Sequence, residues 1–241
     1  MRKFWIALLI AAVVAVAGVQ IYKVYIFFLG SKGTDEVAIA KDDAESLDVD
    51  IDFGTGTLLV EGGADGWVDG TIDTNVKKWK PVVGYKQKRG TGYVTVHQQS
   101  SIFKITGRNR NDWKLQLTKE VPIDLSVDMG VSDSQLNLSG IRLSKLSIDA
   151  GVGDTTVDLS GDWQDGFTAN FDMGVGDMEV ILPKHTGVKL KVSKGIGSVG
   201  TKQLIAKGND VYVNEAYGQS DVVIEIKADI GVGDVNFIFA D

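Results

Sequence analysis

A six-residue signature recurs through the second half of the chain. It stands as Asp128-Met-Gly-Val-Ser-Asp133, Asp149-Ala-Gly-Val-Gly-Asp154, Asp172-Met-Gly-Val-Gly-Asp177, Ser193-Lys-Gly-Ile-Gly-Ser198 and Asp229-Ile-Gly-Val-Gly-Asp234, with a weaker copy at Asp52-Phe-Gly-Thr-Gly-Thr57. The first glycines fall at 54, 130, 151, 174, 195 and 231. The middle spacings are 21, 23 and 21 residues and the last is 36, which implies an inserted segment. Self-similarity at a fixed period marks a repeat architecture and outweighs any local propensity.

The flanks keep the same frame. Five residues before each first glycine stand Val49, Leu125, Leu146, Ala169, Leu190 and Ile226, and three before stand Ile51, Val127, Ile148, Phe171, Val192 and Ala228. Six and eight after stand Leu136/Leu138, Val157/Leu159, Val180/Leu182 and Phe237/Phe239, with mostly polar residues between. Such alternation is that of a strand with one buried face. Each unit therefore reads as a strand, a Gly-h-Gly-Asp corner (h is apolar) and a second strand. The glycines are expected to supply positive φ, with the apolar residue between them pointing inward. A unit of this length cannot bury its apolar face alone, so the reading is an all-β parallel β-solenoid, β-helix-like, with ~22 residues per coil. Short hairpins in a sandwich are the rival. Thr201 and Gln203 break the pattern in the copy at Gly195, which predicts an irregular or register-shifted coil there.

Residues 47–122 are strand-rich but less regular, and residues 123–241 hold the repeats. Strands are predicted over 66–74, 81–88, 92–98, 102–106 and 113–119, with a hairpin turn at Lys88–Gly92. Trp67, Trp79 and Trp113 are candidates to close the apolar end of the stack, and Trp163 falls between coils. Residues 208–220 read as an excursion inside the long spacing.

Phe4 to Tyr22 is nearly uniformly apolar and the run resumes to Leu29, so residues 1–30 read as one transmembrane helix, with membrane contact through residues 4–29. Arg2 and Lys3 favour a cytoplasmic N-terminus, which would put the rest outside the cytoplasm. A signal peptide cleaved after Ala15-Val16-Ala17 is the alternative. Residues 31–46 are small, polar and charged, and read as a linker.

The chain has no cysteine, which removes disulfides, thiolate metal sites and thiol nucleophiles. The acids are 25 Asp against seven Glu, a bias that suits turns and caps rather than helices. The first 32 residues hold four of the 25 basic residues and none of the 32 acids. The body is thus strongly acidic, which argues against nucleic-acid binding.

The stretch Trp113-Lys-Leu-Gln-Leu-Thr-Lys-Glu-Val-Pro-Ile-Asp-Leu125, followed by the repeats at Gly130 and Gly151, resembles the toast-rack domain. That family includes the C-terminal domain of LiaF-type membrane proteins. The resemblance implies a β-solenoid-like fold, membrane association and modulation of two-component signalling under cell-envelope stress. It carries no catalytic residues. This chain has one hydrophobic segment where LiaF-type proteins have several.

Stacked coils would place Asp128, Asp149 and Asp172 in one column and Asp133, Asp154 and Asp177 in another, about 4.8 Å apart. Such like charges repel by roughly 1 kcal/mol in water. Local capping of turn N–H groups is the expected compensation, and a column for a hard cation such as Ca²⁺ is the sharper alternative. The Gly-x-Gly corners lead into strands, not helices, so they do not form a dinucleotide loop. His97 is expected on an exposed strand face and His185 at a Pro turn. Asn137-Leu-Ser139 is a formal glycosylation sequon inside a predicted strand. The basic runs at 77–80 and 86–89 are expected on a solvated strand face, with contact to anionic lipid as the alternative.

Together these observations predict a non-enzymatic, membrane-anchored envelope protein with no cofactor and no small-molecule substrate. Its work would be interaction: sensing or modulating envelope stress, or, alternatively, adhesin-like or scaffolding contact with a polymer or partner protein. An envelope hydrolase is the third reading, and no paired-acid motif supports it.

Overall fold

In chain order the strands are β1 (Thr34–Ile39), β2 (Ser46–Gly62), β3 (Val68–Thr74), β4 (Pro81–Lys88), β5 (Thr91–Gln98), β6 (Asn111–Leu117), β7 (Ile123–Asn137), β8 (Leu143–Val152) and β9 (Thr155–Asp158). They continue as β10 (Phe167–Val175), β11 (Met178–Leu182), β12 (Gly187–Ile196), β13 (Val199–Gly200), β14 (Ile205–Gly208), β15 (Val211–Val213), β16 (Val223–Val232) and β17 (Val235–Phe239). The computed structural model describes residues 34–99 and 109–240. The membrane segment expected over residues 1–30 and the strand expected over 102–106 lie outside the described residues. Among the described residues no helix is long and apolar enough to cross a membrane.

Each repeat is one coil with two legs joined at a Gly-rich corner. The legs are β8 and β9, β10 and β11, β16 and β17, and β12 and β13, whereas β2 and β7 run through their corners unbroken. Neighbouring coils pair in parallel and in register, so the solenoid reading holds over the hairpin sandwich. The predicted apolar columns face the interior: Val49, Leu125, Leu146, Ala169, Ile226 and Leu190 are all buried.

The coils do not stack in sequence order. The last coil, β16 and β17, lies between the coil of β10 and the coil of β12. Side-chain composition explains the insertion. The copy at Gly231 is apolar on both legs, with Ile224, Ile226, Ala228, Ile230, Val235 and Phe237 buried, and needs a neighbour on each side. The copy at Gly195 has Lys194 where its neighbour has Ile230, and its second leg shrinks to the two residues of β13. It is built to end the stack. The core volumes agree, because bulky Phe171 sits beside Ala228, and Ala169 beside Ile226.

Antiparallel strands close both ends. On the far side β15, within the excursion predicted over 208–220, pairs with β12, and β14, which starts before that excursion, pairs with β15. On the near side β5 and β6 add a further layer against β2, and β4, β3 and β1 cover them in antiparallel register. Arg89 (φ 54°) and Gly90 (φ 82°) make the predicted β4–β5 turn. Trp67, Trp79 and Trp113 are buried at this end, with Trp113 edge-on to Phe53. Trp163 seals an inter-coil loop by donating to the Leu159 carbonyl.

The expected linker over residues 31–46 is largely part of the fold. Residues 34–39 form β1, which buries Val37 and Ile39. Asp42 then pins residues 40–45: one carboxylate oxygen accepts from Tyr85 Oη (2.7 Å), Trp67 Nε1 (3.1 Å) and the Ala44 amide (3.0 Å). Burial and the Asp42 hydrogen bond push the Tyr85 phenol well above its ordinary range. Two alternating apolar residues are too few to read as a strand without β3 in view.

The corner also differs from expectation. Positive φ belongs to the second glycine of each pair, +130° at Gly153 and +141° at Gly176, not to the first. The first glycine is required for a different reason. A Cβ on Gly151 would stand 2.5 Å from the Gly130 carbonyl oxygen, and the same clash repeats at Gly130, Gly174, Gly231 and Gly195. The apolar residue between the glycines points outward, not into an interior column, because the alternation slips by one residue at the corner: Met129 and Ser132 are buried, and Gly130 and Val131 between them are exposed. Val131, Val152, Val175, Val232 and Ile196 are all exposed.

Two outcomes follow from this arrangement. Gly151→Val should destabilise by a few kcal/mol in denaturant titration, through backbone overlap rather than φ strain, and Gly153→Ala should cost more than the about 1–3 kcal/mol of φ strain, because its Cβ would also overlap the Ser132 carbonyl. The coil order is checked by paired cysteines in this cysteine-free chain. Asp172→Cys with Asp229→Cys should oxidise readily, since adjacent strands lie within disulfide reach. Asp172→Cys with Ser193→Cys, one coil further on, should not, and efficient bridging there would restore sequential stacking.

Candidate functional site along the corners

The bend at the corner places three features side by side along the edge of the stack. A column of carboxylates precedes the corner, a ridge of apolar side chains runs along it, and a second column of carboxylates follows it. The ridge reads, from coil to coil, Thr55, Val131, Val152, Val175, Val232 and Ile196. The four valines are 43–49% exposed and Ile196 is 73% exposed. The corner backbone is spent within the stack: the Gly153, Gly176 and Gly233 amides each donate to the next coil at 2.9 Å.

The first carboxylate column is longer than the predicted Asp128, Asp149 and Asp172. In register it runs Asp52, Asp128, Asp149, Asp172 and Asp229, with His97 beyond one end and Ser193 beyond the other. Partial burial, then the neighbouring Asp149, Asp50 and Asp52, hold the Asp128 carboxyl above the usual aspartate value. Burial, then Asp124 and Asp50, do the same to Asp48 on the same face. At the far end Lys227 sits 2.8 Å from Asp229 and holds it below that value.

The second column is capped, but across coils rather than within one turn. Asp154 Oδ1 accepts from the Asp177 amide (3.2 Å), Asp177 Oδ1 from the Asp234 amide (3.0 Å) and Asp234 Oδ1 from the Ser198 amide (2.8 Å). Hydrogen bonds from the Ser198 hydroxyl and then from its amide hold Asp234 below its ordinary value. Asp133 occupies the equivalent place in β7, where Ser132 replaces the second glycine and the strand runs straight on. Among the described residues no group of three His, Cys, Asp or Glu side chains is arranged to hold a metal ion.

Side chains finish what the coils cannot. At the near end Gln98 Oε1 accepts from the Gly54 and Thr55 amides, and Asn111 Nδ2 donates to the Thr55 carbonyl (2.7 Å) and to Gln98. At the far end Lys194 Nζ donates to the Gly197 carbonyl (2.8 Å). Sequence reasoning missed these caps: Lys194 was visible at an otherwise apolar position, but Gln98 and Asn111 lie 44 and 56 residues from the corner groups they complete.

The other candidates lie elsewhere. His185, Lys184, Glu215 and Gln219 line a shallow, open groove at the far end. Residues 77–79 form a 3-10 turn with Trp79 buried, not a strand face, and Lys80 pairs with Asp35 at 2.9 Å. Lys86 lies over the Tyr93 ring. Asn137 ends β7, as its place in a strand predicted.

A parallel two-legged stack with Gly-h-Gly-Asp corners defines a β-solenoid class of repeat protein. Residues 29–181 match the family model for the N-terminal domain of toast_rack, and the chain belongs to that family. A solved structure from Clostridium sporogenes, described as a candidate cell adhesion protein, is 30% identical with a TM-score of 0.83, covering 86% of this chain and 99% of its own. Candidate adhesins from Bacteroides fragilis (17% identical, TM-score 0.30, 86% of this chain and 98% of its own) and Parabacteroides distasonis (11%, 0.27, 88% and 99%) are far less similar. No curated protein matches the sequence.

Asp128 in the first column and Asp234 in the second should respond to pH with opposite signs. A carboxyl raised in the fold costs stability when ionised, and that cost is relieved as pH falls through its raised value. A lowered carboxyl contributes stability above the unperturbed 3.8 that is lost as pH drops below it. Asp128→Asn should therefore raise the thermal midpoint at neutral pH by about 2 °C, the scale of one like-charge contact, with the gain gone below 3.8. Asp234→Ala should lower the midpoint at neutral pH, with a deficit that narrows in acid.

Proposed function

We propose that this chain is a non-enzymatic interaction protein of the cell envelope, held at the membrane by residues 4–29 with the solenoid outside the cytoplasm. Its work on this reading is adhesion-type contact with a surface polymer or partner protein. The observation that carries the reading is the likeness, over nearly the whole solenoid, to the Clostridium sporogenes candidate cell adhesion protein. The form of the molecule suits the role. A cross-linked stack of parallel coils, closed at both ends, presents long regular faces rather than a moving cleft. The apolar run of residues 4–29 and the basic residues before it support the anchor. A second reading, modulation of envelope-stress signalling, is favoured by the LiaF-like stretch Trp113–Leu125.

The chain is expected to remain in the membrane fraction after carbonate washing and to be cleaved by protease added to intact cells. A mature N-terminus at Gly18 would replace the anchor with a cleaved signal. Deleting the gene separates the two readings: lower adherence supports contact, whereas a changed envelope-stress reporter with normal adherence supports modulation.

A further inference from the structure

The exposed ridge is the least economical feature of the fold. Its residues need a β-branched shape at a strand corner, but not an apolar one. Thr55 shows this, because it occupies the same place on the first coil with a hydroxyl. Packing between neighbours does not explain the ridge either. Ile196, its largest member, stands on the terminal coil with a ridge neighbour on one side only, and is 73% exposed. Single exposed apolar residues are ordinary, but a contiguous row rimmed by charge marks a contact surface.

We propose that the ridge of Val131, Val152, Val175, Val232 and Ile196 is a docking surface for an amphipathic helix whose apolar stripe is flanked on both sides by Lys or Arg. The surface decides each part of that description. Five residues on adjacent coils span about 19 Å, the length of roughly 13 helical residues. The corner amides and carbonyls are already paired between coils, so an added strand would find no backbone partners on the ridge. A helix satisfies its own backbone and needs only side-chain contact. On either side of the ridge lie the two carboxylate columns, within reach of long basic side chains on both flanks. The same charge excludes other occupants. A second copy would set its own carboxylates against these, and an anionic lipid surface would be repelled.

The proposal rests on the reading of the chain as an interaction module and names the surface and the chemistry of its partner. The test uses the full chain in nonionic detergent. The probe is a fluorescein-labelled 16-residue synthetic helix with a leucine stripe flanked by lysines, read by anisotropy. Saturable binding is expected. Val152→Thr with Val175→Thr, which keeps the shape that Thr55 already has, should weaken it at least tenfold without moving the melting midpoint. Asp149→Asn with Asp172→Asn should weaken it severalfold and flatten its salt dependence, and a peptide with glutamates for the lysines should not bind. Because the protein has no cysteine, an environment-sensitive dye on Val175→Cys locates the contact: it should shift on peptide addition, while a dye on Asp162→Cys should not. Binding unchanged by the Val→Thr pair, or a shift at both dyes, overturns the proposal. So does self-association, or capture by phosphatidylglycerol vesicles, that the same pair abolishes. Failure here leaves membrane retention and adherence to be judged on their own, and loss of adherence with peptide docking intact would fault the broader reading alone.

Discussion

Everything in this fold depends on how closely one coil's backbone can approach the next at the corner. The first glycine of each corner leaves its Cβ position to the carbonyl oxygen of the coil below, and the second adopts a φ that side chains avoid. Two glycine columns therefore let the legs stay in register on both sides of the bend. Register then forces the remaining geometry. The bend shifts the alternation by one residue, so Val127 and Met129 point inward and Val131 outward, and the choice repeats on every coil.

A stack of identical coils has a problem at its ends, where corner groups and apolar faces lose their partners. The chain solves it with non-identical coils. Gln98 and Asn111 stand in for a missing coil at one end, and Lys194 and the short β13 terminate the other. The final repeat is then free to enter the interior of the stack, where its apolar legs are covered on both sides. This arrangement joins the end of the chain to its middle, so the last coil cannot detach without opening the core.

Register also brings like charges together. In the second column the cost is offset by amides donated from the neighbouring coil, so the aspartates knit coils together rather than cap single turns. In the first column Asp229 is relieved by an ion pair with Lys227, and the strain of closely stacked carboxylates is visible at Asp128. The corner thus carries an apolar ridge between two acidic rows.

The repeat, the strand alternation, the buried columns and the carboxylate columns were all legible in the sequence, because each depends on periods of two residues and one coil. So was the class of protein, through Trp113–Leu125 and the glycine pairs. Other features were decided only in three dimensions. Whether the Gly231 coil followed or preceded the Gly195 coil turned on which one could tolerate an open face, which Lys194 and Ile230 answer only as neighbours. That residues 34–39 form a strand turned on the antiparallel edge of β3. The outward direction of Val131, Val152 and Val175 turned on where the backbone bends. A sequence pattern records which residues share a face. It does not record which face a corner turns to solvent, because that is set by the contact between coils and not by either coil alone.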